Sequence, residues 1–207
     1  GVPLEDIYFQ TNCDLALALA RKAKADGASY FMYLSSIEVY GKKATFGQRI
    51  VIDKSTKCFP TSAYGKSLLA GEKKLKELSD ESFRTIILRI PFLYGPDCPG
   101  TFAALKKALR NYQTLPAIKN NFSALHITTL CAFIQYVINE ELSGVFHPQN
   151  KDYLSTLKVA EMLAKEENLP FQTSRLYAFR LKLYKSAGPK DLRNLFASVV
   201  YAKNIDL

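Results

Sequence analysis

Three stretches carry side chains whose types and spacing could do chemistry. The first is Ser62-Ala63-Tyr64-Gly65-Lys66-Ser67-Leu68-Leu69-Ala70-Gly71-Glu72, which reads as a helix start with a phenol in its first turn. The others are Leu34-Ser35-Ser36-Ile37-Glu38-Val39-Tyr40-Gly41, with two alcohols closing an apolar run, and Leu88-Arg89-Ile90-Pro91-Phe92-Leu93-Tyr94-Gly95-Pro96. If Tyr64 and Ser36 meet at one oxygen-sized spot, the pair can pass a proton to or from a substrate hydroxyl. A free phenol has a pKa near ~10, so a base working near pH 7 needs ~4 kcal/mol of preferential phenolate stabilisation. Other reactive residues are less suggestive. His126 and His147 stand alone, without a carboxylate and serine partner set in sequence, and read as hydrogen-bonded core residues. Cys13, Cys58, Cys98 and Cys131 are spaced too widely for a zinc pattern, and a chain of this size needs no disulfide staples, so they read as reduced thiols.

The elements that must position these groups follow from periodicity. Residues 4–27 read as a helix stopped by Gly27. Residues 30–35 and 85–90 are short apolar runs that read as buried parallel strands. The Tyr64 helix, continuing through Glu72, Leu75 and Leu78, links them in a strand-helix-strand crossover expected to be right-handed. Such a unit is half of a doubly wound sheet, whose ligands sit beyond the carboxyl ends of the strands, where Ser36 and Pro91 fall. Further on, residues 101–112 read as a helix, 124–127 as a strand, 128–139 as a helix capped by Thr128, 144–148 as a strand and 155–167 as a helix with a Ser or Thr cap. The expected fold class is α/β: a partial doubly wound, Rossmann-like parallel sheet lacking its first strands, over residues 1–150, with a small, mainly helical and basic C-terminal substrate lobe over 151–207.

Composition bounds the function. At 207 residues and 48% hydrophobic content the chain can bury one substantial core. It has no apolar run of ~18 residues and no basic-then-apolar leader, so neither a membrane span nor a signal peptide is expected and the location reads as cytoplasmic. The formal charge is +9, and residues 175–207 hold seven Lys or Arg against two Asp. There Leu176, Phe179, Leu183 and Tyr184 fall at helical spacing opposite Arg175, Lys182 and Lys185. This stripe is expected to pack on its own domain, with an anionic membrane surface as the other reading. No base-reading motif accompanies the charge, so a specific nucleic-acid partner is not expected.

Taken in order, the three stretches resemble the extended short-chain dehydrogenases/reductases, the NAD-dependent epimerase/dehydratase family, and most closely its capsule and surface-polysaccharide epimerases. The resemblance implies a nucleotide-diphosphate sugar as partner and NAD or NADP as cofactor. It implies Ser36 and Tyr64 as catalytic residues, the tyrosine exchanging a proton with the sugar hydroxyl that the serine also holds. It places Leu34, Ser35, Tyr64 and Pro91 at the cofactor and Ser36 and Phe92 at the substrate, with Asn12 as a helix asparagine that bonds backbone near the site. Several positions depart from the family. Leu68 stands where the family lysine, one helical turn after the tyrosine, lowers the phenol pKa and bonds the cofactor ribose. Lys66 cannot substitute, because two residues along a helix turn a side chain by ~200°. Phe92 stands for an asparagine, Phe122 for an arginine that grips the substrate diphosphate, and Thr128 for an aspartate, with His126 between. No glycine-rich phosphate turn occurs. These departures lead to the expectation of an N-terminally incomplete family member that binds NAD weakly and catalyses weakly or not at all. Its open sheet edge invites another chain, and a homodimer stays open. Epimerase or reductase ancestry fits better than a dehydratase, since Ile37-Glu38 offers one carboxylate where an acidic pair is wanted. The alternative is a non-catalytic relative that binds a sugar nucleotide or a protein.

Overall fold

The computed structural model describes residues 3–44, 48–96, 98, 101–183 and 196–206. The chain opens with α1 (Leu4–Phe9), passes through a π-helical stretch at Gln10–Leu15 and continues as α2 (Ala16–Ala25). Gly27, at φ +86°, ends this run: its amide bonds the Lys24 carbonyl and the Ala28 amide bonds the Ala23 carbonyl. Only glycine takes that backbone region without strain.

Next come β1 (Tyr30–Ser36), a 3-10 turn at Ile37–Tyr40, β2 (Arg49–Ile52), α3 (Ala63–Leu78), β3 (Arg84–Ile90) and β4 (Phe92–Tyr94). They are followed by α4 (Thr101–Tyr112), β5 (Thr114–Pro116), β6 (Ala124–His126), α5 (Ile127–Asn139), β7 (Gly144–Phe146), α6 (Thr156–Glu166), β8 (Gln172–Ser174), α7 (Arg175–Leu183) and β9 (Ser198–Tyr201). The central sheet has the order β1-β3-β7, all parallel, with Tyr30 opposite Arg84 and Ile86 opposite Gly144. Three parallel two-stranded pairs, β2-β9, β4-β6 and β5-β8, surround it.

Strand β3 is buried on both faces and sorts its side chains with period two. Ile87 enters a core with Ala16, Ala20, Tyr33, Leu68, Leu75 and Tyr201, while Ile86, Leu88 and Ile90 enter another with Leu125, Leu130 and Val137. A third core joins α4, α6 and α7 through Phe102, Leu105, Leu109, Val159, Leu163 and Leu181.

Four expectations are corrected. Strand β1 is not buried throughout: Leu34 is 51% exposed, because β1 has a neighbour only on its β3 side among the described residues. Helix α5 is capped by His126, not Thr128; the His126 side chain accepts the Thr128 amide at 3.3 Å. Residues 151–207 are less helical than expected, since they include β8 and β9. Strand β9 runs back to pair with β2, carrying Tyr201 into the core beside α3. Lastly, the stripe of α7 faces outward: Leu176, Phe179 and Leu183 are exposed, and Ala178 and Leu181 make the buried face instead. Tyr184 and Lys185 lie outside the described residues.

Candidate active site

The carboxyl ends of β1 and β3 and the first turn of α3 wall a cavity of about 560 Å3. Leu34, Ser35, Ser36, Tyr64, Pro91 and Phe92 all line it. The structure therefore brings the six positions implied at cofactor and substrate to one cavity, although the Ser35 side chain is engaged elsewhere. Its far wall comes from Phe122, Ser123, Thr156, Ala197 and Val199.

Tyr64 sits in the first turn of α3 because Ser62 caps that helix, its Oγ accepting the Gly65 amide at 3.1 Å. The turn is braced from behind. Asn12 Nδ2 donates to Ser67 Oγ at 2.9 Å, and Ser67 Oγ donates to the Tyr64 carbonyl at 2.8 Å. The resemblance implies that the Asn12 side chain bonds backbone directly; here it reaches the Tyr64 carbonyl only through the Ser67 hydroxyl. Two glycines permit the approach. A Cβ on Gly65 would lie 2.6 Å from the Glu38 carbonyl oxygen, and one on Gly71 would lie 2.3 Å from the Asn12 carbonyl oxygen. That Asn12 carbonyl belongs to the π-helical stretch and accepts the Tyr33 hydroxyl at 2.6 Å.

Ser36 ends β1 and caps the 3-10 turn, its Oγ accepting the Glu38 amide at 3.2 Å. That bond uses the oxygen as acceptor and leaves the O–H to donate. Ser35 points the other way. Its hydroxyl donates to Glu72 Oε1 at 2.5 Å, so its side chain is committed to the core and not to a ligand.

Tyr64 is 39% exposed, its ring edge-on to Tyr8 at 5.5 Å, and its hydroxyl makes no hydrogen bond among the described residues. Burial raises its pKa above the ordinary phenol value, and the Glu38 carboxylate and Tyr8 push the same way. This is the wrong direction for a base. Leu68 brings no charge to offset it: one turn on from Tyr64, it is 2% exposed and packed with Val39, Tyr40 and Ile52. Lys66 is exposed, on the other side of the helix. Glu38, which the sequence offers as one carboxylate where a dehydratase wants a pair, lies on the cavity wall.

Phe92 and Phe122 contact edge-to-face at 4.9 Å, with Tyr94 and Phe102 against Phe92. Where the resemblance led to an arginine there is thus an aromatic cluster. Among the described residues the cavity wall carries no Lys, Arg or His, and Glu38 is its one carboxylate. For a nicotinamide nucleotide the fit is split. The apolar surface of Leu34, Pro91 and Phe92 suits a flat ring, whereas the described wall has no cation for a ribose hydroxyl or a pyrophosphate.

His126 does not line this cavity; it caps α5, with Nδ1 2.8 Å from Thr128 Oγ1, and meets the Tyr94 ring edge-on. His147 is a buried core residue, as its sequence context implied, but within a network that no sequence spacing announced. Glu72 and Arg89 pair bidentately at 3.1 and 2.7 Å, and Arg89 Nη1 donates to the Tyr40 hydroxyl at 2.8 Å. Tyr40 Oη lies 2.7 Å from His147 Nε2, and His147 Nδ1 lies 2.6 Å from Asp206 Oδ1. With Arg89 donating to Tyr40, the proton order that satisfies every atom has Tyr40 donating to Nε2 and Nδ1–H donating to Asp206. Burial lowers the Arg89 pKa, but the Glu72 hydrogen bonds and charge outweigh it and hold the guanidinium charged. Burial raises Tyr40, with Arg89 opposing. The missed wall residues Ser123, Thr156 and Val199 had no signal, because they reach the cavity only through pairings of short strands and a helix start.

Residues 5–188 match the family described as the RmlD substrate binding domain. The UDP-glucose 4-epimerase of Vibrio cholerae is 27% identical over 164 residues, covering 76% of this chain and 49% of that protein. The decarboxylating sterol-4-alpha-carboxylate 3-dehydrogenase erg26 of Schizosaccharomyces pombe is 28% identical over 125 residues, covering 59% of this chain and 36% of that protein. The chain thus spans about half the length of one curated relative and about a third of the other. In fold it is similar to the UDP-Glc/GlcNAc 4-epimerase of Campylobacter jejuni, with a TM-score of 0.69 at 18% identity over 98% of this chain and 65% of that one. It is also similar to the Bordetella bronchiseptica enzyme WbmG in complex with NAD and UDP, with a TM-score of 0.66 at 21% identity over 95% of this chain and 57% of that one.

Proposed function

Because the chain belongs to the RmlD substrate binding domain family, among nucleotide-sugar epimerases and reductases, we propose that its cavity receives a sugar hydroxyl of a nucleotide-diphosphate sugar between Tyr64 and Ser36. The reaction type is epimerase or reductase, in surface-polysaccharide sugar metabolism, and its catalysis is weak or lost. A nicotinamide cofactor, NAD or NADP, supplies hydride transfer when bound. The chain's own part is proton transfer at Tyr64 Oη, while Ser36 donates its O–H to the same substrate oxygen and the aromatic wall excludes water.

The single observation carrying this reading is that a phenol and an alcohol from separate elements line one cavity at the carboxyl end of the sheet. The same geometry supports weakness. With Leu68 apolar and Glu38 facing the cavity, the phenolate is disfavoured, and a diphosphate meets no cation on the described wall. A second reading, a binding module that keeps the cavity without turnover, draws on the same raised phenol pKa.

Mass spectrometry of the purified protein under native conditions, followed by turnover assays with UDP-glucose and a dTDP-4-keto sugar plus NAD(P)H, tests the proposal. Turnover that falls at least about tenfold in Tyr64→Phe supports the enzyme reading. Sugar-nucleotide binding without turnover supports the module, and neither binding nor turnover overturns both.

A further inference from the structure

Helix α7 is apolar on two opposite faces. At 100° per residue, Leu176, Phe179 and Leu183 fall within about 60° of arc, and Ala178 and Leu181 fall on the other side of the helix. Ala178 and Leu181 are 7% and 1% exposed, which accounts for how the helix is held to the protein. Leu176, Phe179 and Leu183 are 67%, 58% and 59% exposed, and they enter none of the cores among the described residues.

The charges flank this outer stripe. Arg180 lies beside it on one edge, and Arg175 and Lys182 lie beside it on the other. None of the three makes an ion pair among the described residues, whereas Arg110 and Lys106 both bind Glu167. The sequence sustains the pattern: between Glu167 and Asp191 there are five Lys or Arg and no acidic residue.

We propose that the outer face of α7 is a docking surface for an anionic lipid bilayer. Leu176, Phe179 and Leu183 enter the boundary between headgroups and acyl chains, while Arg175, Arg180 and Lys182 extend their alkyl stems along the helix and meet the headgroup charges. A bilayer suits the observations better than a protein groove or a polyanion. The stripe is narrow, convex and bordered by cations on both sides, which fits a surface that is negative everywhere around a soft apolar interior. A nucleic acid would use the cations and leave three large apolar groups in water. The inference does not depend on the reading of the Tyr64 cavity.

Co-sedimentation of the whole chain with phosphatidylcholine–phosphatidylserine vesicles and with pure phosphatidylcholine vesicles tests it. Binding is expected to the mixed vesicles alone, to fall as salt rises from about 0.1 to about 0.5 M, and to drop about tenfold in Phe179→Ser and in Leu176→Ser. These positions are exposed, so circular dichroism and the urea midpoint should stay unchanged and separate docking from folding. The proposal is overturned by absence of binding to mixed vesicles, or by equal binding of the serine variants. It is equally overturned if the stripe mediates self-association, seen as a dimer that Phe179→Ser dissociates, or if DNA binds as well as the vesicles and ignores Phe179→Ser.

Discussion

Leu68→Lys should make Tyr64 a stronger acid while weakening the fold. Residues 64 and 68 are one turn apart on α3, so their side chains are neighbours with Cβ atoms about 5–6 Å apart. An ammonium about 6 Å from the phenolate, at an effective dielectric constant of about 20, favours the anion by about 3 kcal/mol, roughly a hundredfold in the acid dissociation constant. That gain works against the burial, the Glu38 charge and the Tyr8 phenol that raise Tyr64 now. The stability cost is of similar size. Leu68 is 2% exposed, and losing its packing while partly desolvating an ammonium should cost about 3–5 kcal/mol, at about 2–4 °C in Tm per kcal/mol for this chain length. Leu68→Met, which keeps the volume, should cost less than about 1.5 kcal/mol and leave the phenol unchanged. The assay is a pH titration of tyrosine 13Cζ resonances, with Tyr64→Phe assigning the signal, over the range where circular dichroism stays constant. If the Tyr64 resonance in folded Leu68→Lys titrates at the same or a higher pH, position 68 does not address the phenol and the assignment of α3 to the chemistry fails.

Glu72→Gln should cost about 3–5 kcal/mol in urea unfolding, because it leaves the Arg89 guanidinium unpaired behind a 1% exposed partner. Adding Arg89→Met should cost clearly less than the two single changes together, and additivity would refute the coupling. Gly71→Ala should destabilise by about 1–3 kcal/mol, since the new methyl meets the backbone oxygen of Asn12, although alanine elsewhere in a helix would stabilise; a raised urea midpoint would show that α3 can move away. His126→Ala should cost about 1 kcal/mol through loss of the α5 cap, with His126→Asn restoring most of it in the same melts. Glu167 is held below its ordinary carboxylate pKa by its hydrogen bonds from Arg110 and Lys106. Its contribution is therefore present above the unfolded value of about 4.3 and lost as pH falls through the lower folded value. Glu167→Gln should flatten the acid limb of a plot of urea midpoint against pH and leave its neutral plateau shape unchanged.

The candidate site is legible in sequence through the family resemblance, with local rules then fixing the direction of its residues. Ser36 at a strand end and Tyr64 two residues after the capping Ser62 are placed by strand and helix geometry, and both line the cavity. What was not legible depends on long-range closure. Glu72 and Arg89 are 17 positions apart, Tyr40 and His147 are 107 apart, and only the packing of α3, β3 and β7 joins them. Strands β4, β5, β6, β7 and β8 have three residues each, too few for any period to show. For α7 the spacing of Leu176, Phe179 and Leu183 gives a stripe but neither its side nor its charges: it faces outward, and Arg175 and Lys182 border it where they are expected opposite, because an apolar stripe identifies a face without saying which of two apolar faces meets the core. The sequence gives His126 the look of a buried strand histidine, yet its Nδ1 accepts an amide two residues on, a local bond usually made by Ser, Asn or Asp.

The pieces that place Tyr64 are separable from those that would make it reactive. Its backbone is fixed by Ser62, by the Asn12–Ser67 bridge and by the close approaches that Gly65 and Gly71 allow, and none of these touches the phenol oxygen. Its acidity is set by what faces the ring: burial, Glu38 and Tyr8, with Leu68 contributing no charge. The Leu68 isobutyl group supplies packing and no charge, so the helix, the cavity and the core behind them stand without any electrostatic drive on the phenol. Glu38 sharpens the point, since any cation restored at position 68 must also outweigh a carboxylate on the same wall before a phenolate or a diphosphate is welcome there.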